Sequence, residues 1–401
     1  MQVGKFKDKS INCAIFLLKI VGLWMSMNST EERQRRLTLT WTFIALFYST
    51  YLNVVDITHN LDNLSHCIFS AITILCVALS MFKIVILSFH KMEFKEIVLY
   101  ASKNFWNVDY EHEEKILFTK CQSFCQLWII VVCCLAQGTL GFYVLSPINV
   151  NIGKNKSERV LPFKMWVDLP LSETPYYEIV YTIQAVCVYQ VGAAYICSDC
   201  FLCMLNMHVI CQFRMLHRRL SNMWPSTNEQ MNQNEYTNKC YRTLIKCIEK
   251  HQSLLEFCNK LENVYTIMIL GHMVIFSLLM CFDTYEVFLA KVPTTTRLIF
   301  FFHMVGSYIH IVFFTYSCNG LIEESMNIAT ATYSLLWTVL PTNNTGIMIR
   351  RNINLMIMRS LNPCCLTAGG FFPISMRTAT ALMSSSMSYF TLMRERSNAV
   401  E

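Results

Sequence analysis

An all-α membrane protein with seven transmembrane helices, a cytoplasmic N-terminus and an extracellular C-terminus is the fold this sequence predicts, on three observations. The 401 residues are 54% apolar and only 15% charged, with a mean hydropathy of +0.36, the balance of a polytopic membrane protein rather than a soluble domain. Apolar runs long enough to cross a hydrocarbon core of ~30 Å recur seven times, over residues 37–55, 67–89, 124–145, 179–205, 267–289, 298–321 and 371–393. Between those runs, 23 Lys and Arg fall on the side of the N-terminus and 8 on the other, which places the richer side in the cytoplasm. Lys83 and Arg377 lie inside runs and count for neither side. The net charge of +6 is therefore a topology signal before it is a sign of acidic or nucleic-acid partners, and no nucleic acid is expected.

The elements follow in order. Residues 1–36 form a cytoplasmic arm, in which Ile11 to Trp24 is too short to span and lacks a small-residue cleavage site; it predicts an interfacial amphipathic helix rather than a signal peptide. Residues 37–212 carry spans one to four. Their outside loops contain Asn63-Leu-Ser and Asn155-Lys-Ser, candidate glycosylation sites, whereas the sequons at Asn28 and Asn343 face inward. The long outside loop from Pro147 to Pro175, with Pro162, Pro170 and several aromatics, predicts a folded lid. Residues 213–262 are a cytoplasmic loop and helical extension: the chain breaks at Trp224-Pro225, runs through a polar stretch, and resumes with Leu244, Ile248, His251, Leu255, Cys258 and Leu261 on one face. Residues 263–322 hold spans five and six, the fifth continuing that amphipathic helix. Residues 323–368 contain cytoplasmic anchor helices, including one over 347–361 whose apolar face needs a partner within or between subunits. Residues 369–393 form the last span and 394–401 a short outside tail.

The 19 cysteines do not describe a disulfide framework, because most sit in the apolar runs. They read as small buried hydrophobes. Cys197, Cys200 and Cys203 have ligand-like spacing but no fourth ligand nearby, so packing is preferred to a metal. Cys364 and Cys365, just before the last span, could accept a reversible acyl chain. No cofactor is implied.

The last span is unusual for a lipid-facing helix. It carries Ser375, Thr378, Thr380, Ser384, Ser385, Ser386 and Ser388, and Ala381, Ser385, Ser388, Leu392 and Glu395 share one stripe at spacings of three and four. Several copies around an axis would make a wet conduit with Leu392 as an apolar constriction. Small residues also suit close helix packing, and periodicity alone leaves both readings open.

The run from Met358 through Asn362-Pro-Cys-Cys-Leu-Thr-Ala-Gly-Gly-Phe-Phe-Pro-Ile-Ser375, followed by Ser388-Tyr-Phe-Thr-Leu392, resembles the C-terminal signature of insect odorant receptors. Leu18-Lys-Ile-Val-Gly-Leu-Trp24 is similar to that family's opening helix, and Tyr333 with Trp337 to the connection after its sixth span. The resemblance implies a plasma-membrane receptor of olfactory neurons: a non-selective cation channel, gated by a small volatile ligand and tetrameric, with the seventh span around the pore. It further implies an odorant-tuning subunit that works with a shared co-receptor, because the loop 214–260 is short for the co-receptor and the ending differs. By the same register Leu392 would be the gate, Ser385 and Ser388 the conduit, Glu395 the outer mouth, and Gly369 and Gly370 the hinge before the pore helix. Arg377 and Arg396 depart from the family's usual residues at the two ends of that helix. A charge at position 377 facing the axis in four copies would oppose cations, so the expectation is a side-facing position or a minority of such subunits.

Family structures imply a ligand pocket in the outer half of the bundle. Candidate residues there are Phe69, Ile72, Thr73, Gln137, Gly141, Phe142, Tyr181, Gln184, Tyr189, Phe276, Met280, Phe302 and His303. Aromatic and Met side chains with few polar groups suit a small apolar ligand, and Gln137, Gln184 and His303 stand out because polar side chains within spans need partners. Each can equally be ordinary packing. A G-protein-coupled receptor would need an outside N-terminus and shows none of its motifs here; a gustatory-receptor-like homotetramer would end its last span differently. Nor does the chain carry a phosphate loop, zinc motif or nucleophile elbow, so an enzyme is not expected.

Overall fold

The computed structural model describes residues 8–26, 28–62, 64–152, 159–166, 172–223, 233–290, 292–335 and 342–400. Ten α-helices and one two-stranded hairpin make up these residues: α1 (Lys9–Val21), α2 (Ser29–His59), α3 (Leu64–Phe89), α4 (Lys91–Ala101), α5 (His112–Asn151), α6 (Tyr176–Ser221), α7 (Gln233–Phe288), α8 (Thr294–Tyr333), α9 (Asn344–Ser360), β1 (Thr367–Ala368), β2 (Phe372–Pro373) and α10 (Met376–Val400). A π-helical turn, Ser102–Trp106, prolongs α4. Five helices (α3, α5, α6, α7 and α8) are long and apolar enough to cross a membrane. The helices covering the first and last expected spans, α2 and α10, carry too many polar residues to meet that measure alone. Asn63, Asn155, Trp224, Pro225 and Trp337 lie outside the described residues.

Helix α1 starts at Asp8, whose carboxylate accepts from Ser10 N at 2.7 Å, and ends at Gly22 in the left-handed region (φ 81°). Ile11, Ala14, Ile15, Leu18 and Val21 are buried. Their face packs on α5 and α6, so protein takes up the apolar stripe expected at the membrane interface. Gly22 is required twice over, since a Cβ would lie 2.6 Å from Leu39 N of the crossing α2. Gln190 of α6 donates to Ile20 O (3.0 Å) and to Thr42 Oγ1 (2.7 Å), and Thr42 donates to Val21 O (3.1 Å), which satisfies carbonyls that the end of α1 leaves open. In the first turn of α2, Glu32 gathers Arg35 (2.7 Å), Lys91 (3.2 Å) and Arg36 (3.3 Å). The Arg35 hydrogen bond, more than any other partner, holds that carboxyl well below its usual range.

Helix α6 is the central column: most of its residues from Cys197 to Leu220 are buried, Cys197, Cys200 and Cys203 among them, and it packs on α1, α2, α3, α5, α7 and α8. Helix α7 runs unbroken for 56 residues, and Leu244, Cys247, His251, Leu254, Cys258 and Leu261 bury the face of its extension. Helix α9 is capped by Asn343, which accepts from Gly346 N at 2.8 Å, and packs Ile349, Ile353 and Met356 against α7 and α8. Pro147, expected at the start of the outside loop, lies instead inside the last turns of α5.

The final span also differs from expectation. Residues 371–375 are not helical; Gly369 (φ 61°) and Gly370 (φ 78°) make the tight turn of a hairpin in which Thr367 pairs with Pro373 and Ala368 with Phe372. Glu262 of α7 accepts from Thr367 N (2.9 Å) and from its hydroxyl, and Gly369 N donates to Thr266 O (3.0 Å). The hinge is therefore fastened to α7 before α10 begins at Met376.

Candidate functional site

An apolar cavity of about 140 Å³ lies between α3, α5, α6, α7 and α8. The aromatic rings of Tyr143, Phe163, Tyr195, Phe276, Phe300 and Phe302 line it, with Ile72, Val132, Leu140 and Val191 between them. Some of its polar groups are turned to one another. Thr73 Oγ1 lies 3.3 Å from Tyr143 OH, Cys76 Sγ 3.7 Å from His303 Nε2, and His303 Nδ1 2.8 Å from Asp283 Oδ2. The Tyr195 hydroxyl and His310 Nδ1 on its wall are buried without a hydrogen-bond partner among the described residues, so an occupant meets a largely apolar surface with two polar groups free to orient it. An apolar cavity of this size holds about one benzene-sized ring.

Of two glycines on the wall, one allows a close helix approach and the other would accept a side chain. A Cβ on Gly192 would meet Leu140 Cδ1 at 2.6 Å, whereas one on Gly306 would find only Leu135 Cβ, at 3.6 Å. The loop after α5 supplies Phe163. Gln184 grips that residue's backbone in both directions, accepting from Phe163 N at 2.9 Å and donating to Phe163 O at 3.0 Å. Trp166 stacks on His59 (4.2 Å between ring centroids) and donates to Asp56 Oδ1 at 3.2 Å, so residues 159–166 fold over the bundle as a lid.

Of the sequence candidates, Ile72, Thr73, Phe276, Phe302 and His303 line the cavity. Phe69 packs behind it, edge-on to Phe300 at 5.4 Å, and Phe142 stacks on Phe302 at 5.3 Å. Gln184 holds the lid, and the Tyr181 hydroxyl donates to Val144 O. Gln137 and Tyr189 are exposed, Met280 is buried without reaching the space, and Gly141 lines no part of it. Sequence reasoning missed Cys76, Tyr143, Phe163, Tyr195 and His310.

A buried ionic cluster adjoins the cavity. Lys83 of α3 pairs with Asp199 of α6 and donates to Tyr195 O at 3.3 Å, with side-chain exposures of 1% and 2% for the pair. His272 Nδ1 of α7 and His310 Nε2 of α8 each lie 3.4 Å from Asp199 Oδ2. Four helices thus meet on one carboxylate, and Tyr195 and His310 belong to both the cluster and the cavity wall.

Helix α10 has two faces. Ala379, Leu382, Met383, Ser386, Phe390 and Met393 pack toward α7 and α8, with Phe390 against Phe288 at 6.3 Å and Met393 Sδ 3.6 Å from Cys281 Sγ. Arg377, Ala381, Ser384, Ser385, Ser388, Leu392 and Glu395 are exposed on the other side, Leu392 at 55%. The side chain of Arg396 lies outside the described residues.

Comparison with known proteins gives these features a context. The family described as 7tm Odorant receptor matches residues 63–387. Odorant receptor 10 of Aedes albopictus is 27% identical over 242 residues, 59% of this chain and 60% of that one, and Odorant receptor 30a of Drosophila melanogaster 26% identical over similar shares. The chain thus spans about 60% of the length of these two relatives, but 96% of Odorant receptor 13a of Drosophila melanogaster, at 21% identity. The insect olfactory receptor OR5 from Machilis hrabei in complex with eugenol has a TM-score of 0.81 over 96% of this chain and 98% of its own, at 14% identity; without the ligand its TM-score is 0.79. The fold is shared along the whole chain.

Proposed function

The chain belongs to the 7tm odorant receptor family of multi-pass membrane proteins, and from that premise we propose that it is the odorant-tuning subunit of a ligand-gated, non-selective cation channel. The observation that carries this reading is the aromatic-lined apolar cavity with the Tyr195 hydroxyl and His310 Nδ1 left unpaired on its wall among the described residues, a site suited to a small volatile molecule held by apolar burial and oriented by one or two hydrogen bonds. A neighbour of the same fold binds eugenol, a ligand of that chemical class. Burying ~200 Å² of such a molecule supplies ~5 kcal/mol at ~25 cal/mol per Å², before any polar contact.

In this reading α10 is one wall of a central pore in a tetramer shared with the odorant co-receptor, in the plasma membrane of olfactory neurons. Ser385 and Ser388 border the conduit, Leu392 is the apolar constriction and Glu395 the outer mouth. The Gly369–Gly370 hinge, tied to Glu262 and Thr266, links that wall to α7, which also lines the cavity through Phe276. Occupation of the cavity and the position of the gate thereby share one helix. The test is current recording in oocytes expressing the chain with and without the co-receptor across a panel of volatiles. The proposal expects odour-evoked cation current that requires the co-receptor and survives block of G-proteins. Current from this chain alone would favour a homotetramer, and current abolished by G-protein block would overturn the channel reading.

A further inference from the structure

One charge on the exposed face of α10 is unexplained by folding. Arg377 sits in the first turn of the helix, exposed, and among the described residues it has no carboxylate partner. A cation near a helix N-terminus opposes the helix dipole, so the local backbone does not favour it. Its direction is set by the helix repeat. Arg377 precedes Glu395 by 18 residues, five full turns at 3.6 residues per turn, so the two side chains leave the helix in the same direction about 27 Å apart. Ser384 and Ser388 fall within ~20° of that direction, and the packed residues Ala379, Ser386 and Phe390 lie on the opposite side. Position 377 thus shares the exposed face of Ser388 and Leu392.

We infer that Arg377 is the residue through which this subunit sets the pore's preference among cations, by placing a fixed positive charge at the inner mouth that excludes divalent ions more than monovalent ones. This rests on the proposed reading that the exposed face of α10 borders the pore. A unit charge ~8 Å from the ion path, in water, lowers local monovalent cation occupancy about 2-fold and divalent occupancy about 6-fold. The calcium-to-sodium permeability ratio therefore falls about 2- to 3-fold per arginine contributed. A narrower, less water-filled mouth would enlarge the effect.

The experiment compares wild type with Arg377→Lys, Arg377→Gln and Arg377→Glu, each expressed with the co-receptor and opened by the strongest agonist of an odorant panel. Reversal potentials in sodium and calcium solutions give the permeability ratio. In parallel, Ser388→Cys is exposed to a charged, thiol-reactive methanethiosulfonate reagent. Expected is an unchanged ratio for lysine, a 2- to 3-fold rise for glutamine and about a 6-fold rise for glutamate, with current through Ser388→Cys altered by the reagent. A ratio that is the same for all three substitutions while Ser388→Cys reacts would overturn the role of Arg377 and leave the pore reading standing. Unchanged ratios together with an unreactive Ser388→Cys would remove the pore reading and this inference with it.

Discussion

Replacing Gly306 with leucine would fill the cavity from its own wall. Gly306 lies on α8 in the cavity wall, where an added Cβ would meet Leu135 Cβ at 3.6 Å, an ordinary van der Waals contact. Four added carbons occupy much of a cavity of about 140 Å³ and displace a comparable part of any ligand. At ~0.8 kcal/mol per buried carbon the loss is at most ~3 kcal/mol of binding, a rise of up to roughly 200-fold in the half-maximal agonist concentration. Leucine is also the better helix former by nearly 1 kcal/mol, so the substituted protein should fold and reach the surface at least as well as wild type. Gly306→Ala, which adds one carbon, should shift the curve only about 4-fold. The assay is a dose–response series in oocytes beside surface biotinylation and thermal melting in detergent. A Gly306→Leu protein with normal surface level and an unshifted curve for every agonist would refute the placement of the ligand in this cavity.

Four further outcomes follow from the geometry. Leu392→Ala removes the proposed constriction and should raise resting current without agonist, measured as holding current under voltage clamp; an unchanged leak would argue against a gate at this position. Lys83→Met leaves the Asp199 carboxylate buried and should cost about 3–5 kcal/mol, seen as a melting point lower by several degrees, while Lys83→Met with Asp199→Leu should recover most of the loss. Gly370→Ala should cost ~1 kcal/mol of backbone strain, and Gly369→Ala more, because its Cβ would also meet Leu270 Cδ2 at 2.7 Å; equal melting points for the two would count against the hinge description. Burial pushes His251 down to about 4, below its unfolded value near 6.5, so its contribution is complete above pH ~6.5 and is lost as pH falls toward 4. The melting point in detergent should drop across that window, less so in His251→Phe, and parallel profiles for the two proteins would refute the assignment.

The sequence was most informative where one physical signal decided the outcome. Hydropathy located the five helices long and apolar enough to cross a membrane, and the 3.6-residue period of Leu244 to Leu261 foretold the face that the first half of α7 buries. The Gly369-Gly370 break was legible because both residues adopt backbone angles that other types resist. The start of α10 was misplaced by five residues: apolar Phe371 and Phe372 continue the hydropathy signal although their backbone forms a hairpin. Pro147 read as a loop because prolines usually end helices, yet in α5 it falls where the chain can continue for one more turn.

The cavity was only partly legible. Ile72, Thr73, Phe276, Phe302 and His303 were found because depth in the bundle and residue type both pointed inward. Gln137 and Gln184 were singled out as polar groups needing partners, but one is exposed and the other binds the lid's backbone. Phe163 was invisible to any span-based argument, since a loop delivers it. Lys83 could be seen as a charge within a span. Its partner Asp199 is 116 residues away, and only the packing of α3 against α6 brings them together.

The measurement that tests the central claim most directly is an electron cryo-microscopy structure of this chain assembled with the co-receptor and an agonist. The account predicts agonist density in contact with Tyr143, Phe302 and His303, and α10 beside the central axis with Ser385, Ser388 and Leu392 turned toward it. Agonist density elsewhere in the chain, or an α10 that presents this face to lipid, would contradict it.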